Sequence, residues 1–138
     1  MAGLALISQA LWTFTKYAFV GGINTVVGSL TMIIFAYVGL HYVIYTLLGY
    51  LVAFVSSYTL NGLFTFETNR LSSQQLLLFV VLNGVLLASV ESIQILMIGY
   101  FGVRELVGVL AGMGSYTILG FLLNRRYVFK VPKGHGSG

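Results

Sequence analysis

The side chains of this chain that could do chemistry are few, and most are amides. Asn24, Asn61, Asn83 and Asn124 each lie inside or at the end of a long apolar run, with Thr25 beside the first and Thr65 four residues after the second. A neutral amide donates and accepts hydrogen bonds without carrying charge into hydrocarbon, which suits sugar hydroxyls. The plainer reading is that such amides join neighbouring helices, or cap helix ends at Asn61 and Asn124. The cations sit elsewhere. Arg125 and Arg126 follow Asn124 in "LLNRRYVF", and Lys16 precedes the first apolar run. Arginine offers a rigid fork of donors that matches a phosphate, so Arg125, Arg126 and Lys16 are candidates for holding one. The two arginines equally suit snorkelling to headgroups at a span end.

Among the acids, Glu67, Glu91 and Glu105, only Glu91 lies deep in an apolar run. A carboxylate there must be protonated, paired or open to a wet cavity, and Gln94, Ser92 and Asn83 are the candidate partners. It reads either as a proton-coupling site, as in small drug antiporters, or as a structural group. Such antiporters place a carboxylate early in the first span, where this chain has none. No catalytic constellation emerges. The chain has no Cys, its two histidines fall in a link and in the tail, and no two acids are expected close together. No phosphate-binding loop or dinucleotide fingerprint occurs. The expectation is a protein without a metal, without a cofactor and without enzymatic activity.

The elements that must position these groups follow from composition. The chain is 58% hydrophobic and only 7% charged, against about 25% charged in soluble domains. That balance indicates an all-α integral membrane protein, and its basic pI then reflects topology and not nucleic-acid binding. Four runs are long enough to span a bilayer core, at about 16–38, 42–66, 74–101 and 106–127. The preceding segment lacks a basic n-region and a small-residue cleavage site, and reads as an interfacial lead-in. One membrane domain is expected over 1–131. Residues 132–138 read as a flexible tail or an expression remnant. With four spans, six of the seven basic residues share one face, which places both termini in the cytoplasm.

The chain also repeats itself. "SYTLNGLFTF" and "GFLLNRRYVF" align Asn61 with Asn124 and Phe66 with Phe129. Steps of four back from each Asn meet mostly small residues, Ser57, Ala53 and Gly49 in one run and Gly120, Gly112 and Gly108 in the other. "YAFVGGINTVV" and "FVVLNGVLLAS" correspond more loosely. Two hairpins of the same orientation, a parallel repeat, are expected. The Gly108–Gly112 spacing suggests close helix packing and a homo-oligomer.

"KYAFVGGINTVVGSL", "AFVSSYTLNGLFTF" and "GFLLNRRYVF" together resemble the GtrA-like family, over roughly Thr15 to Lys130. The resemblance implies a small multi-pass protein of a prokaryotic cytoplasmic membrane. It also implies flipping of a polyprenyl-phosphate-linked sugar, such as an undecaprenyl one, for cell-envelope polysaccharide or teichoic acid glycosylation. A membrane glycosyltransferase is an implied partner, beside the sugar lipid and the membrane lipids. Carried over by motif, the binding residues are Asn24 and Thr25, Asn61 with Thr65 and Phe66, and Asn124 with Arg125, Arg126 and Phe129. The reading from the residues themselves adds Asn83 and Glu91. One departure matters: Asn61 is followed by Gly62 and Leu63, with no base before Arg70, which favours a phosphate at the second motif. Two alternatives stand beside translocation: a scaffold that recruits a glycosyltransferase, and the Glu91 antiporter.

Overall fold

The computed structural model describes residues 2–130, so the tail expected from 132 lies outside the described residues. Helix α1 covers Ala2–Tyr37, α2 Tyr42–Leu60, α3 Ser73–Gly99 and α4 Glu105–Leu123. Helices α2 and α4 each continue into a five-residue π-helical turn, π1 over Asn61–Thr65 and π2 over Asn124–Val128. All four helices are long and apolar enough to cross a membrane, and no strand occurs among the described residues. The chain is thus an all-helical, multi-pass membrane protein. The cause is local: without water, a spanning segment must satisfy its own backbone, and a helix does so. Gly39 and Gly102 end α1 and α3 with φ of +88° and +66°, a region open to glycine. The Ser72 hydroxyl accepts from the Gln75 N–H and starts α3.

The second, third and fourth expected spans match these helices to within a few residues. The first does not, because α1 begins at Ala2 and runs straight through Lys16. Residues 2–15 contain no proline, so nothing there breaks a helix. The charge that suggested a boundary at Lys16 is met by Glu67. At 1.5 Å per residue the 36 residues of α1 extend about 54 Å, well beyond a ~30 Å core.

The chain divides into two compact units, Met1–Leu71 and Ser72–Gly138. In the first, α1 packs on α2 and π1; in the second, α3 packs on α4 and π2. Both hairpins close over small residues. A methyl group at Gly28 would sit 3.2 Å from Ala53 Cβ and 3.4 Å from the Gly49 carbonyl, and one at Gly49 would collide with Met32. In the second unit Ile98 covers Gly108 and Gln94 covers Gly112. At these glycines the small-residue stripe is filled by the neighbouring helix of its own hairpin and is no open groove.

The same devices recur in both units. Tyr17 packs on Phe66 with ring centroids 6.2 Å apart at 57°, and Phe79 on Phe129 at 6.1 Å and 58°. Met32 lies over Gly49 as Gln94 lies over Gly112. Matching positions of α1 and α3 are 62 residues apart, and those of α2 and α4 are 63 apart.

Candidate functional site

The polar side chains gather where each hairpin runs into its π turn. The Phe66 N–H donates to the Asn61 carbonyl at 2.8 Å, and the Phe129 N–H to the Asn124 carbonyl at 2.8 Å. The Asn-x-x-x-x-Phe frame is therefore the five-residue step of a π hydrogen bond. In an α-helix, residues five apart stand about 140° apart around the axis. The wider turn brings both onto the buried side: Asn61 and Phe66 are buried, as are Asn124 and Phe129. Turns of this kind concentrate at functional sites. Both phenylalanines serve as core rings on Tyr17 and Phe79.

In the first unit Asn61 is satisfied within its own helix. Its Nδ2 donates to Ser57 Oγ at 3.1 Å, and its Oδ1 accepts from Thr65 Oγ1 at 2.9 Å. Lys16 reaches the same end. Its side chain is buried, its Nζ lies 2.6 Å from Glu67 Oε1, and the Phe64 ring centroid is 5.5 Å away. Glu67 itself is exposed and holds a left-handed φ of 52°, unusual for a residue with a Cβ. The hydrogen bond from Lys16, and then its charge, hold the Glu67 carboxyl below the ordinary carboxylate range. Of the proposed phosphate ligands, Lys16 already carries a counter-ion. Deeper in α1, the Asn24 Oδ1 accepts from Ser56 Oγ at 3.1 Å, while Thr25 is exposed and bonds back to the Gly21 carbonyl at 3.0 Å.

In the second unit the amides close on each other. Asn83 Nδ2 donates to Asn124 Oδ1 at 3.0 Å, and Asn124 Nδ2 donates to Asn83 Oδ1 at 3.0 Å. Each Nδ2 also reaches a carbonyl one turn back, Phe79 at 2.8 Å and Gly120 at 2.7 Å. At Asn124 the end-capping role and the cross-helix role coincide. Arg125 and Arg126 are exposed beside this pair, 5.9 Å from the Phe121 and 5.6 Å from the Tyr127 ring centroids. No acid pairs with them among the described residues; the one ion pair there is Lys16–Glu67.

Glu91 is placed differently from its expected surroundings. It is exposed on α3, and its three candidate partners are engaged elsewhere. Gln94 donates to the Gly108 and Val109 carbonyls at 3.1 and 3.3 Å, Ser92 to Ala88, and Asn83 to Asn124. Glu91 instead lines an open hollow of about 360 Å³ with Gln94, Ile98, Glu105 and Val109. Glu91 and Glu105 both line this open hollow. The α3–α4 hairpin folds Glu105 back beside the C-terminal part of α3. No group of metal-ligating side chains occurs among the described residues.

The roles of Ser56 and Glu67 went unread in the sequence. The distance from Asn to Phe was the available signal for the π turns, since five is the π step and neither an α nor a 3₁₀ one.

No curated protein and no solved structure gives a match to this chain. A family model described as GtrA/DPMS, transmembrane domain, matches residues 16–129. That interval begins at buried Lys16 and ends at buried Phe129, and contains both π turns with Asn24, Asn61, Asn83 and Asn124. By this match over most of its length, the chain belongs to the GtrA/DPMS transmembrane-domain family.

Proposed function

We propose that the protein translocates a polyprenyl-phosphate-linked sugar across a prokaryotic cytoplasmic membrane, for cell-envelope glycosylation. Its family is associated with the handling of glycosyl lipids in membranes. The observation that carries the finer reading is the pair Arg125 and Arg126, exposed at the end of an otherwise apolar helix beside the buried Asn83–Asn124 pair. A phosphate and a sugar crossing hydrocarbon lose their water, and a protein path must offer replacement hydrogen bonds. Exposed Arg125 and Arg126, with no acid beside them among the described residues, supply the phosphate fork. In this reading the protein is a transporter and no enzyme, and its lipid substrate comes from a membrane glycosyltransferase.

The test is reconstitution in liposomes with a labelled polyprenyl-phosphate hexose. The expected result is transbilayer movement well above that of empty vesicles; movement at the empty-vesicle rate refutes translocation. A scaffold that recruits a glycosyltransferase is the second reading. It is favoured by Leu4, Ile7, Leu11 and Trp12, all exposed on the part of α1 that exceeds a bilayer core. Truncation of residues 2–12 that abolishes co-purification of the glycosyltransferase, with scrambling intact, would support it.

A further inference from the structure

The four asparagines of the helical segments differ in how far the fold satisfies them. Asn83 and Asn124 exchange two bonds and each reaches a carbonyl besides. Asn61 is met by Ser57 and Thr65. Asn24 is not satisfied. It is only 8% exposed, its Oδ1 accepts from Ser56, and its buried Nδ2 has no partner within the chain. Turning the amide over would exchange the two atoms and still leave one of them unpartnered. Buried amide hydrogens are rarely left so, and each calls for a reason.

Space lies beside it. A helical side chain leans over the turn that precedes it, which for Asn24 is the turn that carries Gly21. A methyl group at Gly21 would meet nothing within 4 Å, and Gly21 is on the exposed side of α1. The second unit shows what can occupy this place. Gly21 matches Asn83, 62 residues on, in the register that also matches Tyr17 with Phe79 and Met32 with Gln94. There the Asn83 amide fills the position and bonds Asn124. Here the position is a glycine, and the amide one turn along keeps an unspent donor.

We propose that Gly21 and Asn24 form a headgroup subsite, in which Asn24 Nδ2 donates to an acceptor oxygen of a glycosyl-phosphate lipid lying over Gly21. The opening is on the surface of a membrane span, so the ligand arrives from the bilayer and is a lipid. Its acceptor is a sugar hydroxyl or a phosphate oxygen. The inference rests on the translocation reading and specifies it: Asn24 touches the cargo, while Asn61, Asn83 and Asn124 hold the helices.

The experiment follows the side-chain amide resonances of asparagine-labelled protein in nanodiscs, with the Asn24 pair assigned by its loss in Asn24→Leu. Discs contain phosphatidylglycerol alone, with added polyprenyl phosphate, or with added polyprenyl-phosphate hexose. The Asn24 signals are expected to move with the hexose lipid while those of Asn83 and Asn124 stay in place. Equal movement with bare polyprenyl phosphate assigns the acceptor to the phosphate, and movement with the hexose lipid alone assigns it to the sugar. Gly21→Leu, which fills the opening, is expected to weaken the response about 10-fold or more, with unmoved Asn83 and Asn124 signals reporting an intact fold. Asn24 signals that ignore both added lipids, as a structural water would leave them, overturn the subsite; so does a full response in Gly21→Leu. Scrambling by a protein with an unresponsive Asn24 removes the subsite and leaves translocation standing. A responsive Asn24 in a protein that does not scramble does the reverse.

Discussion

The reciprocal bond between Asn83 and Asn124 makes a quantitative prediction. Both side chains are buried, at 1% and 0% exposure, and two bonds of 3.0 Å join them. A hydrogen bond between membrane helices contributes about 0.6 to 2 kcal/mol. Removing one partner also leaves the other with unmet capacity, at about 1–3 kcal/mol. Asn83→Ala, which removes the amide without adding bulk, should therefore cost about 2–3 kcal/mol, and Asn124→Ala about the same, since each also removes a bond to a carbonyl one turn back, Phe79 or Gly120. The double variant has no orphan left to pay for. It should cost about 1–2 kcal/mol less than the sum of the singles. The assay is reversible unfolding of all four proteins in mixed dodecylmaltoside and SDS micelles, followed by circular dichroism. Additivity to within about 0.5 kcal/mol would show the two amides to be energetically independent. It would remove the argument that this pair is structural, and with it the contrast drawn with Asn24.

Other consequences follow from the same geometry. Glu67 has a lowered carboxyl pKa in the folded protein, so its contribution is complete above the unfolded value of ~4.3 and fades as pH falls through the lower folded value. Glu67→Gln should melt below wild type at neutral pH, and the two curves should converge in acid; a constant gap in melting temperature down to about pH 3 contradicts the pairing. Gly49→Val drives a side chain into Met32 and the Gly28 carbonyl and should destabilise the first hairpin by about 1–3 kcal/mol. Gly84→Ala has nothing within 4 Å and should be near neutral, so equal losses in the two would refute the close approach. Arg125→Ala with Arg126→Ala should slow liposome translocation about 10-fold or more at unchanged melting temperature, since both side chains are exposed. Undiminished transport would take the phosphate away from this end.

Much of the fold was legible because its causes are local. Charge scarcity and four apolar runs lead to four spanning helices, and short links with Gly39 and Gly102 lead to hairpins. That helix α1 begins before Lys16 was not legible, because a helix that outruns the bilayer core leaves no break in the sequence, and neither was the pairing of Lys16 with Glu67, 51 residues away. The surroundings of Glu91 were misread for a related reason. Neighbours along a helix were taken as partners, whereas Gln94 turns to the α4 backbone and Asn83 to Asn124. The frame shared by Asn61 and Asn124 was visible as spacing, but its cause, a backbone bond spanning five residues, appears only once the turn is built.

The sequence by itself determined that this chain is a membrane protein of four helices, because hydrocarbon obliges each segment to satisfy its own backbone. It also carried the intramembrane asparagines and the clustered arginines that make a polar lipid headgroup a reasonable cargo. Only the tertiary structure decided which amides are spent and which is free. Whether a side chain finds a partner depends on what the opposite helix presents at that height. Asn83 meets an asparagine across its hairpin, whereas Asn24 meets one serine and keeps a donor.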